Sequence, residues 1–120
     1  VDRVVMCSGK VYYELLEKKQ EAGLDNVALL RIEQLHPFPN DRMGRRLTQY
    51  EHVKTFYWCQ EEPINQGAWY SIQHNLRNVI DNRSLECACR DASASPATGY
   101  AKVHKEQQQN LIKIALGCSD

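Results

Sequence analysis

The sequence predicts an α/β domain built on a mostly parallel sheet with helices on both faces. Three observations carry this. Short apolar runs recur at residues 3–7, 27–32, 55–59 and 85–89, and continuous apolar runs suit strands buried on both faces. Between them lie stretches whose apolar residues recur at helical spacing. The two kinds of segment alternate, which is the pattern of βα units with right-handed crossovers.

In chain order, the first strand ends at Cys7 and is followed at once by Ser8-Gly9. Residues 10–22 then form a helix with Val11, Tyr12, Leu15 and Leu16 on one face and Glu14, Glu17, Lys18 and Lys19 opposite, stopped by Gly23. After the second strand, Pro37 and Pro39 exclude helix. Asn40 is an expected N-cap for a short helix over 41–50 that Gly44 weakens. The third strand, 55–59, is aromatic-rich, and a polar loop is expected over 60–67. Ala68, Trp69, Ile72, Leu76, Val79 and Ile80 mark the next helix. A fourth strand over 85–89 precedes a small polar loop over 93–99. The last helix runs over 100–116, with Val103, Gln107, Leu111, Ile114 and Ala115 along one side.

Composition bounds the function. The 120 residues are one domain's worth, and the chain begins almost inside its first strand, which reads as a piece of a longer protein. Lys+Arg and Asp+Glu are both 15, for a net charge of zero, so no global basic field points to nucleic acid. No apolar run reaches membrane-span length. The five cysteines, an odd number without a secretory signal, read as reduced thiols and not a disulfide framework. Cys87-Ala88-Cys89 is too tight for a zinc knuckle, so no metal ligand is assigned.

In an open parallel sheet, ligands gather beyond the carboxyl ends of the strands. Ser8, Gly9 and Lys10 are the best anion site there: a strand-to-helix turn with unpaired amides, close backbone approach at Gly9 and a lysine charge. They match neither phosphate-loop fingerprint, and a serine-capped helix start is the plainer reading. Gln60, Glu61 and Glu62 offer carboxylates, but adjacent extended residues point apart, so joint acid–base work is not implied. A solvated turn or subunit contact is the plainer reading, with Trp69 packed in the core or an interface. Arg31 and Glu33 fall on the same side of an extended strand and suit an ion pair. His36 precedes a proline without a catalytic partner. Ser93, Ser95 and Thr98 lack a base and a nucleophile elbow. Cys7, beside a helix N-terminus, sits where a thiol pKa is lowered. Arg42, Arg45, Arg46 and Lys54 form a local basic face. No complete catalytic set emerges.

Four motifs carry more than periodicity: 4–13 (VVMCSGKVYY), 31–35 with Pro37-Phe38-Pro39, 58–63 (WCQEEP) with 65–70 (NQGAWY), and 93–100 (SASPATGY). In this order they resemble the C-terminal domain of the thiamine-diphosphate-dependent first component of the 2-oxoglutarate dehydrogenase complex. The bacterial form is the nearer, through residues 66–70 and Gln107-Gln108-Gln109. The resemblance covers essentially the whole chain. It implies a transketolase C-terminal-domain-like, three-layer α/β/α sandwich. The family's first antiparallel strand would be lacking, leaving four strands with the first and third adjacent at the centre.

The resemblance also implies a parent enzyme that decarboxylates 2-oxoglutarate in the tricarboxylic acid cycle and succinylates the lipoyl group of dihydrolipoyl succinyltransferase. Thiamine diphosphate and magnesium would sit between upstream domains, with no cofactor and no catalytic residue in this one. The partners implied are the rest of the subunit, a dimer mate and the succinyltransferase, and neither nucleic acid nor membrane. The location implied is cytoplasmic, or the mitochondrial matrix in a eukaryote. An aromatic surface around Tyr12, Tyr13, Trp69 and Tyr70 would be covered in the assembly. Two alternatives remain at this point: the same domain of a 2-oxoadipate dehydrogenase component, and an independent nucleotide- or anion-binding regulatory module. One departure is Cys87-Ala88-Cys89-Arg90, where the family has a Tyr-Ala-Gly-Arg-like sequence. A cysteine in place of glycine narrows the backbone choices there.

Overall fold

A computed structural model describes residues 1–90 and 101–118. Four strands, β1 (Arg3–Cys7), β2 (Val27–Arg31), β3 (Thr55–Pro63) and β4 (Ser84–Arg90), form one sheet in the order β2-β1-β3-β4. Every pairing is parallel, with Val4 between Ala28 and Phe56, and Met6 between Leu30 and Trp58. The helices are α1 (Val11–Ala22), α2 (Asn40–Leu47), α3 (Trp69–Val79) and α4 (Ala101–Leu116). This is the expected α/β arrangement, with the first and third strands adjacent at the centre.

Strand alternation divides the interior into two cores. Val4, Met6, Leu30, Phe56, Trp58 and Leu85 pack against Met43 and Leu47 of α2 and Trp69, Ile72 and Leu76 of α3. Val5, Cys7, Val27, Cys59 and Ala88 pack against Val11 and Leu15 of α1 and Leu111, Ile112, Ala115 and Leu116 of α4. The chain runs from β1 outward to β2 and then crosses to the other side of β1. Right-handed crossovers in opposite directions put α1 and α2 on opposite faces. The reversal puts the topological switch point between the carboxyl ends of β1 and β3, where such sheets bind ligands.

Several local expectations change. Asn40 does not cap α2: Pro39 holds that position and no side chain bonds there. The predicted helix over 41–50 divides into α2 and a 3-10 turn, Thr48–Tyr50. Ser8 does not cap α1 either, since Lys10 occupies the N-cap without a side-chain bond. Ile114, expected along the inner side of α4, is 48% exposed, while Ile112 is buried. β3 does not stop at Cys59 but continues to Pro63, so Gln60, Glu61 and Glu62 belong to a strand and not to a loop. The cause is Gln60, whose side chain supplies local hydrogen bonds that polarity alone does not reveal. Cys89, standing where the family has glycine, lies within extended β4 and is not among the positive-φ residues, so the substitution is absorbed.

Arg83 ties the amino end of the sheet together. Its Nη1 donates to the carbonyls of Tyr50, Glu51 and Val53 at 2.9, 3.1 and 2.7 Å, and its Nε donates to Ile80 O at 2.8 Å. The turn before it uses left-handed Asp81 and Asn82, residue types that tolerate that region. Among the described residues no helix is long and apolar enough to cross a membrane.

Candidate functional site

The switch point is flanked by the two segments singled out in the sequence. Ser8, Gly9 and Lys10 join β1 to α1, with Gly9 at φ +82° and both Gly9 and Lys10 exposed. The positive φ is what a turn this tight requires, and glycine adopts it without steric penalty. Two amides of the first helical turn are already occupied: Tyr12 N–H donates to Gly9 O at 3.3 Å and Tyr13 N–H to Lys10 O at 3.1 Å. The turn thus offers an anion fewer donors than the sequence pattern implies.

On the neighbouring strand β3, Gln60 is 4% exposed. Its Nε2 donates to the carbonyls of Glu62, Pro63 and Gln66 at 3.2, 3.0 and 2.8 Å. Its Oε1 accepts from Trp58 Nε1 at 2.9 Å and from the Trp69 amide at 3.1 Å. One buried amide therefore fixes the end of β3, the following turn and the first residue of α3. Gly67 closes that turn at φ +68°, where a Cβ would come within 3.0 Å of Glu62 Oε1. Trp69 lies in the core beneath, while Tyr70 is 62% exposed.

Glu61 turns to the other face of the sheet. Gln108 of α4 donates from Nε2 to Glu61 Oε1 at 2.8 Å and to Glu14 Oε2 at 3.1 Å. Arg90, at the end of β4 and 7% exposed, donates to Glu61 O at 2.7 Å and to Gln108 Oε1 at 2.8 Å, with His104 Nε2 3.4 Å away. This polar seam joins β3, β4, α1 and α4. Sequence reasoning did not find it. The available signal was an arginine closing an otherwise apolar strand, while Gln108 entered only as part of a likeness.

Arg31 at the end of β2 has its Nη1 3.7 Å from Glu33 Oε1 and donates to Tyr13 Oη at 3.1 Å. Its guanidinium lies 5.2 Å from the Tyr13 ring centre and 5.9 Å from that of Tyr12. Glu33 is well exposed, so the ion pair contributes about 1 kcal/mol or less. Holding Tyr13 is the more specific task of this arginine. Arg31, Arg42 and Arg46 also line an open cavity over Ile32, Phe38 and Met43. Ser93, Ser95 and Thr98 lie outside the described residues. Among the described residues no three His, Cys, Asp or Glu side chains gather as a metal site.

The expectation for Cys7 is reversed. Burial pushes its thiol up to about 12, against a smaller lowering by the Arg31 charge. Desolvation of a thiolate outweighs a helix terminus when the sulfur has no water. Cys7 will therefore stay protonated at pH 8 and resist iodoacetamide in the native protein. Peptide mapping of a native alkylation time course checks this. Labelling of Cys7 ahead of half-buried Cys118 would contradict it.

Comparison with known proteins places these residues in context. A family model described as 2-oxoglutarate dehydrogenase C-terminal matches residues 1–116. The chain is 52% identical over 117 residues to the 2-oxoglutarate dehydrogenase E1 component of Haemophilus influenzae, covering 97% of this chain and 12% of that protein. It is 49% identical over 119 residues to the 2-oxoglutarate dehydrogenase E1 component of Azotobacter vinelandii, covering 96% and 13%. It is 46% identical over 121 residues to the oxoglutarate dehydrogenase of Buchnera aphidicola, covering 100% and 13%. The chain thus spans about an eighth of the length of these relatives.

Proposed function

Because the chain belongs to the 2-oxoglutarate dehydrogenase C-terminal family, we propose that it is the C-terminal assembly domain of a larger 2-oxoglutarate dehydrogenase subunit. In this reading residues 1–120 are one domain of that subunit. The parent enzyme decarboxylates 2-oxoglutarate on thiamine diphosphate with magnesium in the bacterial cytoplasm. It then passes the succinyl group to the lipoyl arm of dihydrolipoyl succinyltransferase. The cofactor is held by residues outside this chain.

The observation that carries the assembly role is the carboxyl edge of the sheet. Tyr13 and Tyr70 stand 57% and 62% exposed on the first turns of α1 and α3. Arg31 donates to the Tyr13 hydroxyl on one side, and Gln60 accepts from the amide of Trp69, the residue before Tyr70, on the other. Exposed aromatics on rigid supports suit a covered interface, because little side-chain entropy is lost on contact. Ser8, Gly9, Lys10, Glu61 and Glu62 shape the same edge.

The test is the double variant Tyr13→Ser/Tyr70→Ser in the full-length subunit. We expect the dimer to weaken by roughly a hundredfold, as loss of two interface anchors predicts, with activity falling in parallel at low protein concentration. Both side chains are exposed, so thermal stability of the domain should hardly move. Unchanged sedimentation and unchanged activity on dilution would overturn the reading.

A further inference from the structure

The structure pairs two thiols at the end of β4, Cys87 packing also against the α2–α3 core. Among the described residues β4 is an edge strand, paired with β3. Cys87 and Cys89 are two residues apart on it and project to one face. Both are half-buried, they are not joined in a disulfide, and Cys87 Sγ donates to Cys89 Sγ at 2.9 Å. Three cysteines serve elsewhere: Cys7 and Cys59 are fully buried in the α1–α4 core, and Cys118 lies beyond α4. The pair on β4 is thus a local, partly accessible dithiol on a rigid support.

We propose that Cys87 and Cys89 form a dithiol capture site for neutral trivalent arsenicals, which bridge the two sulfurs through one arsenic atom.

Geometry favours a bridging atom over a direct disulfide. Cα atoms two residues apart in an extended strand stand about 6.6 Å apart, at the upper end of the disulfide range. Closing an S–S bond would pucker β4 at Cys87, which the parallel ladder holds opposite Trp58, the register shifting only past Ala88. A single bridging atom spans the gap by side-chain rotation, with the backbone left in place.

Protonation selects the ligand class. The hydrogen bond between the two sulfurs, together with burial, pushes the Cys87 thiol well above the ordinary thiol range. Capture of a metal cation requires thiolates and must expel those protons. An arsenoxide does not. With phenylarsine oxide, two As–S bonds form, the As–O bond breaks, and the oxygen leaves as water with both thiol protons. Arsenic remains trivalent, so no oxidant or reductant enters. A soft, polarisable centre is also the natural partner of sulfur ligands.

The test treats the native protein carrying this chain with one equivalent of phenylarsine oxide, removes the excess, and alkylates remaining thiols in denaturant. Trypsin cleaves after Arg83 and Arg90, so both cysteines fall in the seven-residue peptide 84–90. That peptide should carry the arsenic and escape alkylation, and release it to a 1,2-dithiol but not to a monothiol. Cys87→Ser and Cys89→Ser should each weaken retention by roughly a hundredfold, the loss of the intramolecular second bond. Cys118→Ser should leave it unchanged. A doubly alkylated 84–90 peptide from the treated wild type would overturn the proposal, whatever the variants do. So would undiminished retention in Cys87→Ser.

Discussion

Replacing Gln60 with alanine will lower the unfolding free energy by about 3 kcal/mol, the scale of leaving two buried donors and three facing carbonyls without this partner. Urea or thermal melting of the chain reads this directly, as a fall in melting temperature of roughly 10 °C at this size. Little of the effect is hydrophobic. Gln60 is a polar side chain with its carbonyl bonded to the Trp58 indole and the Trp69 amide, and its amide nitrogen to three backbone oxygens. Deleting it orphans an indole in the core and the first amide of α3 together. A loss below about 1 kcal/mol would show that water replaces the amide and that the turn to Trp69 holds itself.

Gln60→Glu separates the two ends of the side chain. The acceptor survives, but an oxygen replaces the nitrogen that faced the carbonyls of Glu62, Pro63 and Gln66. An ionised carboxylate there meets carbonyl oxygens, whereas a protonated one donates a single bond. The folded state therefore raises the carboxyl pKa above its unfolded value of about 4.3. A raised acid contributes stability that is present below the unfolded pKa and is lost as pH rises through the folded pKa. The deficit of this variant against the wild type should be larger at pH 8 than at pH 5. A deficit independent of pH would contradict the placement.

Gln60 also shows where the sequence stopped being legible. Strand positions, the parallel sheet and helices on both its faces follow from apolar runs and helical spacing, because burial on both faces of a parallel sheet writes itself into continuous hydrophobic stretches, whereas the strand order came through the family likeness. The segment 60–63 did not, since its glutamine and glutamates look like solvent residues. Gln60 is satisfied by backbone and indole partners within nine residues and Glu61 by distant Gln108, and neither pairing is written in a periodic pattern. The helix starts at Lys10 and Pro39 were misread for the same reason in reverse: Ser8 and Asn40 are capping types, yet neither side chain caps its helix. Tyr13 and Tyr70 were legible as a surface only through the family likeness. Nothing in the periodicity separates an exposed aromatic from a core one.

The second large effect is expected at Arg90. Arg90→Met keeps length and apolar volume but removes the fork that reaches Glu61 O and Gln108 Oε1. Two partly buried acceptors then face no donor, a loss of about 2–3 kcal/mol. Among the described residues no carboxylate pairs with this guanidinium, so its stabilisation comes from directed bonds and not from an ion pair. Arg90→Lys will therefore recover little, since a point ammonium cannot address both oxygens as the planar fork does. Arg90 and Gln108 must also act as one unit, because the same glutamine side chain accepts from Arg90 and donates to Glu61 and Glu14. A double-mutant cycle of Arg90→Met with Gln108→Ala should give a coupling of about 1 kcal/mol or more, whereas independent sites add to within roughly 0.5 kcal/mol. Hydrogen exchange should speed up in α4 around His104 and Gln108 before it changes in β1, because the seam holds that helix to the sheet by polar contacts while its far end rests on Leu111, Ile112, Ala115 and Leu116. Additive losses with unchanged exchange in α4 would mean that the apolar end alone docks the helix, and that Arg90 only fills space beside β3.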